Sequence, residues 1–215
     1  MNIIILGPQG SGKGTQAEML TQKYNLEHLD VGGTLRELSK MDTPLGKEIY
    51  NVLNVAKGLI SDEILFKVLR LKLSSLPREQ GVIFDGAPRN LEQAKYLEIL
   101  LREFGKKIDK VFFVNISEEE STARISKRWI CQKCRAVLIM GKDVQSEKDQ
   151  CPACDAPIAQ RKDDTPEGIG IRLRIFQEET VPVINYYKEK GLLVEIDGKQ
   201  PIEKVFNGIV KNIDV

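Results

Sequence analysis

An apolar run at positions 2–6, Asn-Ile-Ile-Ile-Leu, passes directly into Gly7-Pro8-Gln9-Gly10-Ser11-Gly12-Lys13, and a helix-like stretch follows from Thr15 to Lys23. This junction constrains the fold more than any other part of the chain. A continuous apolar strand is covered on both faces, which is the habit of a parallel sheet. The glycines at 7, 10 and 12 let the backbone fold inward so that its N–H groups converge. The helix behind them presents its positive N-terminus to an anion. Lys13 adds a point charge placed for the β- and γ-phosphates of a nucleotide. The general pattern places Ser or Thr after the lysine, but here Gly14 intervenes before Thr15. The bland alternative is a glycine-rich strand–helix turn that holds no ligand.

Further apolar runs at 81–84, 110–115 and 192–196 read as buried strands, separated by helical patterns. Ser61-Asp62-Glu63 starts one helix, with Ile64, Leu65, Val68, Leu69 and Leu73 at helical spacing. Ser117 with Glu120 forms a capping-box pattern at the head of another. The alternation predicts an α/β fold, a P-loop parallel sheet flanked by helices with right-handed crossovers. Two segments interrupt it. Residues 31–60 read as a helical insert, and 129–163 hold all four cysteines and a charged linker. Residues 1–30, 61–128 and 164–215 are then the core.

The chain is large enough for one sizeable core. Its formal net charge of +1 gives no support for nucleic-acid or membrane binding. No apolar stretch approaches the roughly 18 residues of a membrane span. The first strand begins at Asn2, which leaves no room for a signal peptide, so a cytoplasmic protein is expected. A monomer is the default expectation.

Cys131, Cys134, Cys151 and Cys154 form two C-x2-C pairs separated by sixteen residues. That spacing suits one structural zinc held by four thiolates. Disulfides are the alternative in an oxidising compartment. A closed thiolate shell leaves no position for substrate, and a lobe this small needs such a staple. A zinc ribbon that binds nucleic acid or protein through Trp129 and Arg135 is the rival reading. The single histidine, His28, reads as a structural residue near a strand.

Asp85 follows Val82-Ile83-Phe84 at the carboxyl end of a strand, where an acid beside a phosphate loop orients Mg²⁺ through water. A helix cap or salt-bridge partner is the alternative role. Arg124 and Arg128 are four apart and read as sharing one helix face. Arg36, Arg89, Arg161 and Arg172 complete a set suited to bidentate phosphate binding.

These motifs resemble the adenylate kinases over nearly the whole chain. Residues 7–16 are similar to that family's GxPGxGKGTQ, in which the Gly14-Thr15 arrangement is normal. Asp85-Gly86-Ala87-Pro88-Arg89 resembles its DGFPR, Arg161-Lys162-Asp163-Asp164 its lid-closing RKDD, and the cysteine pairs its zinc-bearing lid. The resemblance implies reversible phosphoryl transfer from Mg²⁺–ATP to AMP, giving two ADP. It implies that Gly10, Ser11, Gly12, Lys13, Gly14, Thr15, Arg124 and Arg128 hold ATP. Val31, Arg36, Leu59, Ile60, Gly86, Arg89, Gln93, Arg161 and Arg172 would hold AMP, with Gln93 reading adenine. Lys13, Arg89, Arg124, Arg128, Arg161 and Arg172 would act on the transferring group.

The acceptor side departs from the family. Its Ser-Thr-Gly-Asp loop is Asp30-Val31-Gly32-Gly33 here, and the aromatic residue of DGFPR is Ala87. Val31 and Asn90 also occur in the pyrimidine branch, so UMP or CMP is the alternative acceptor. A P-loop hydrolase lacking a second substrate is the reading from another class. The lost hydroxyl, carboxylate and ring predict weaker AMP binding and poorer discrimination, restored by Thr at 31 and Phe at 87.

Overall fold

The computed structural model describes residues 1–55, 60–161 and 164–213. Its centre is a five-stranded sheet built from β1 (Asn2–Leu6), β2 (Glu27–Asp30), β3 (Val82–Asp85), β4 (Lys110–Asn115) and a late strand, Leu193–Asp197. The spatial order is β2-β3-β1-β4 followed by the late strand, and every pairing is parallel. Successive residues of β1 serve opposite faces. Ile4 and Leu6 join the larger core, and Ile3 and Ile5 the smaller. The run is continuously apolar because helices cover both sides.

One layer is α1 (Lys13–Tyr24) with the C-terminal helix Ile202–Lys211. The opposite layer includes α4 (Asp62–Ser74) and α5 (Leu91–Glu103), and between α1 and α4 lie α2 (Val31–Leu38) and α3 (Pro44–Tyr50). Both serines cap their helices, while the Glu120 carboxylate meets Arg124 at 2.6 Å. Ser61 Oγ accepts from the Ile64 N–H at 3.4 Å, and Ser117 Oγ from the Glu120 N–H at 3.3 Å, at the head of α6 (Glu118–Ser126). The segment 31–55 is helical, α2 and α3 ending in a wide π-type turn at Asn51–Val55.

A separate three-stranded antiparallel sheet follows α6, made of β5 (Arg128–Cys131), β6 (Val137–Ile139) and β7 (Ile158–Ala159). It closes over a small core of Leu138, Val144, Ile158, Cys131 and Cys151, against which Trp129 and Cys154 pack. The chain then returns through α7 (Pro166–Ile175), a second π-type turn and α8 (Val181–Glu189), then β8, the late strand Leu193–Asp197, and α9, the C-terminal helix Ile202–Lys211.

Two features differ from expectation. β2 was not legible as a strand, because it is an edge strand of four residues in which only Leu29 is fully buried. Arg124 and Arg128 do not share a helix. α6 stops at Ser126, Lys127 leaves the helix, and Arg128 opens β5 opposite Ile139. Strand pairing within the second sheet overrides the four-residue periodicity.

Candidate functional site

The phosphate loop links β1 to α1. Gly10 and Gly12 take φ of 75° and 89°, left-handed values that bulky residues avoid. Gly12 caps α1 without any side-chain acceptor, so the first N–H groups of the helix remain available to an anion. α6 buttresses the loop from behind. Ser121 Oγ donates to the Gln9 carbonyl, and Arg124 donates to the Gly10 carbonyl at 3.3 Å while its Nε meets Glu120 at 2.6 Å. Arg124 is therefore engaged with the loop backbone in this conformation. A Cβ at Gly14 would come within 3.4 Å of Asp85 Oδ2, so α1 crosses close above that carboxylate.

Asp85 sits where β1, β2 and β3 end together, level with Ile5 and Asp30. His28 Nε2 lies 3.6 Å from its Oδ2. Burial works against ionisation of Asp85, but His28 and Lys13 outweigh it and hold its carboxyl below the usual range. Burial likewise lowers the ammonium of half-buried Lys13. Asp85 opposes that shift, while Arg89, Arg128 and Arg161 reinforce it. Three arginines distant in sequence thus act on the charge of one lysine. Arg89 in turn lies in the fields of Asp85, Asp30, Arg172 and Arg36. Its Nε donates to the Gly86 carbonyl at 2.9 Å, and Thr180 Oγ1 donates to its backbone oxygen at 3.0 Å.

Asp164 is the residue that sequence reasoning named only within a motif. Its buried carboxylate takes Nε and Nη2 of Arg128 at 2.9 and 2.7 Å, and Nη2 of Arg172 at 2.8 Å. It thus joins β5 to α7 and gathers two of the six arginines. The only sequence signal was an acid three residues after Arg161. Its partners Lys162 and Asp163 of the motif, like Leu59, expected from the resemblance to face the base, lie outside the described residues. Because Asp164 is buried between two cations, Asp164→Ala should destabilise the protein by about 3–5 kcal/mol. Urea unfolding of the purified variant checks this, and a loss below about 1 kcal/mol would show that the triad contributes little.

The segment expected to face the acceptor carries its acid at a different position in the chain. A Cβ at Gly33 would collide with the carboxylate of Asp30, and that same carboxylate lies 3.7 Å from Arg36 Nη2. The acid absent at 33 is replaced in space by the one at 30. Val31 and Ala87 are both buried in the larger core, and Ile60 packs against it. Ala87 is buried, so an aromatic ring there must displace its neighbours. Ala87→Phe should therefore lower stability by about 1–3 kcal/mol through overpacking, measured by thermal or urea unfolding.

Gln93 is buried and its amide is held at both ends. Oε1 accepts from the Arg89 N–H at 2.7 Å, and Nε2 donates to Asp62 Oδ1 at 2.6 Å.

The four cysteine sulfurs lie within 4.8 Å of one another. Sγ of Cys131 is 3.5 Å from that of Cys154, and Sγ of Cys134 is 3.6 Å from that of Cys151. These distances are far longer than a disulfide bond of about 2 Å. They match the edge of about 3.7 Å expected between thiolates about 2.3 Å from one zinc. The N–H groups of Lys133 and Cys134 both donate to Cys131 Sγ at 3.4 Å. Burial opposes ionisation of that thiol, but these bonds and the neighbouring thiols lower its pKa. The cluster is compatible with zinc.

Among the described residues, no helix is long and apolar enough to cross a membrane. The sequence model of the adenylate kinase family matches residues 5–192. An adenylate kinase of Archaeoglobus fulgidus is 38% identical over 209 residues, covering 97% of this chain and 96% of that protein. One of Kosmotoga olearia is 38% identical over 216 residues, covering 100% and 99%. A third, of Desulforamulus reducens, is 36% identical over 98% of both chains. The matched span takes in the phosphate loop, the arginines around Lys13 and all four cysteines, not the sheet alone, and on that ground the chain belongs to the adenylate kinase family.

Proposed function

We propose that the chain catalyses reversible transfer of the γ-phosphoryl group of Mg²⁺–ATP to AMP, giving two ADP. What supports this is the match of the adenylate kinase family over residues 5–192 together with the arginines gathered by the phosphate loop and Asp164, where Arg124 donates to the Gly10 carbonyl at 3.3 Å and Arg128 and Arg172 meet one carboxylate at 2.7 and 2.8 Å. One triphosphate does not need so many cations, whereas two facing phosphate chains do. An oxygen of the AMP phosphate attacks the γ-phosphorus, the bond to the β-phosphate oxygen breaks, and that oxygen leaves on ADP. The acceptor phosphate is largely ionised at pH 7, with a pKa of about 6, so no protein base is required. The only histidine is instead engaged with Asp85. Catalysis then rests on in-line positioning and on stabilising charge spread over the transferring group.

In this reading residues 10–15 hold the ATP phosphates with Arg124 and Arg128. Arg36, Arg89, Arg161 and Arg172 hold the AMP phosphate, beside the backbone at Val31 and Gly86. The base is received by Gln93, Leu59 and Ile60. Asp85 orients the water shell of the Mg²⁺ that accompanies ATP, and that ion adds charge neutralisation on the phosphates. Residues 31–60 act as the acceptor lobe. Residues 129–163, stapled by zinc on the four cysteines, act as a lid that swings over ATP and excludes water. Arg128 and Arg161 flank this lobe, so closing it would deliver both. The near-neutral charge fits a cytoplasmic monomer working on small nucleotides.

Val31 favours a second reading with UMP or CMP as acceptor, because it lacks the threonine hydroxyl. A coupled assay with purified protein, Mg²⁺–ATP and each common monophosphate separates the cases. ADP formation that depends on added AMP is expected. Turnover independent of any monophosphate would refute kinase action, and preference for UMP or CMP would transfer the assignment to the second reading.

A further inference from the structure

The amide of Gln93 has a defined orientation, and the groups that define it do not depend on any choice between its nitrogen and oxygen. A backbone N–H can only donate, so the atom facing Arg89 N at 2.7 Å is the amide oxygen. The other atom of the amide, facing Asp62 Oδ1 at 2.6 Å, is therefore the nitrogen. The carboxylate is itself held. Its Oδ2 accepts from Asn90 Nδ2 at 3.2 Å, and Asn90 Oδ1 caps α5 by accepting the Gln93 N–H at 2.8 Å. Asp62 stands at the first position of α4 and Gln93 in the first turn of α5, so two helix starts meet at this amide.

We infer that Asp62 is a positioning residue for acceptor specificity. By fixing Nε2 on one side and leaving Oε1 on the other, it sets the order of donor and acceptor that Gln93 offers to a nucleobase. This rests on the reading of Gln93 as a base-contacting residue. Among the described residues each amide atom has one partner, which leaves one N–H and one lone pair for a ligand. Adenine answers that pair with its 6-amino donor and N1 acceptor, and cytosine with its 4-amino donor and N3 acceptor. Hypoxanthine and uracil offer the reverse, a carbonyl acceptor and a ring N–H. With the phosphate end anchored by Arg36 and Arg89, such a base cannot slide to exchange the two positions. It would place like against like in a buried site, which leaves polar groups unsatisfied. The chemistry therefore favours 6-amino purine and 4-amino pyrimidine monophosphates over their oxo counterparts.

The test compares kcat/KM for AMP against IMP, and for CMP against UMP, in wild type, Asp62→Leu and Gln93→Leu. Wild type should prefer each amino base by at least about tenfold. In Asp62→Leu, where the Arg89 N–H is the one remaining anchor and Nε2 is no longer held, the AMP-to-IMP ratio should fall by about five- to tenfold, through KM for the acceptor, while KM for ATP holds. A residue that merely joined the two helices would alter stability and leave that ratio intact. Should the leucine variant fail to fold, Asp62→Asn is read in its place. Its amide can face Gln93 either way, and a smaller fall in the ratio is expected. An unchanged ratio in the folded variant, alongside a large loss of AMP affinity in Gln93→Leu, overturns the role of Asp62 but leaves the base-contact reading standing. If Gln93→Leu binds AMP as wild type does, that reading fails, and the inference with it.

Discussion

Lys13→Ala is expected to lower turnover by about a hundred- to a thousandfold, the usual effect of removing one preorganised charge from a developing transition state. Stability should hardly change, and the physical reason is local. Lys13 is half-buried and pressed by Arg89, Arg128 and Arg161, with Asp85 as its compensating acid. Its removal relieves repulsion as well as losing an attraction. The two consequences separate under measurement. Steady-state rates should collapse, while the thermal unfolding midpoint moves by only a few degrees, equivalent to about 1 kcal/mol. Turnover close to wild type would show that the loop's charge is not used in transfer. A collapse of folding together with activity would show that Lys13 is a structural ion-pair residue.

Cys151→Ser should abolish tight zinc binding and unfold the small sheet β5–β7 around it. Zinc is expected at one equivalent per chain by elemental analysis of the wild type. The sheet has three short strands, one of two residues, and a core of only a few apolar side chains. It cannot offset the entropy of ordering its own chain, so the metal's binding energy is its folding energy. If the variant forfeits even about 3 kcal/mol, its unfolding midpoint falls by about 6–12 °C. Activity should fall too, because Arg128 lies in β5 and Arg161 follows β7. Protein that contains no zinc when purified metal-replete, or a variant that unfolds at the wild-type temperature, would refute the staple.

The layout of the core was legible because its signals are local. Continuous apolar runs at 2–6 and 110–115, capping serines at 61 and 117, and glycines between strand and helix each state their geometry within a few residues. The cysteine spacing likewise pointed to a single cluster, since two C-x2-C pairs close on one ion with little choice. β2 escaped because an edge strand has one neighbour and needs little apolar patterning to pair. Arg128 was misplaced because helical periodicity cannot report that a strand partner waits at Ile139.

What the sequence by itself determined, then, was the phosphate loop, the parallel sheet, the arginine inventory and the four thiols. Only the tertiary structure decided how the charges are used. Asp164 holds Arg128 and Arg172, residues 36 and 8 positions away from it. Asp30 fills the space that a side chain at 33 would have taken. Asp62 reaches across 31 residues to orient Gln93. The reason is physical. Apolar burial and backbone geometry act through repeating local patterns, which a sequence displays. An ion pair or an oriented amide depends on which side chains the crossovers bring within about 3 Å, and no local pattern records that.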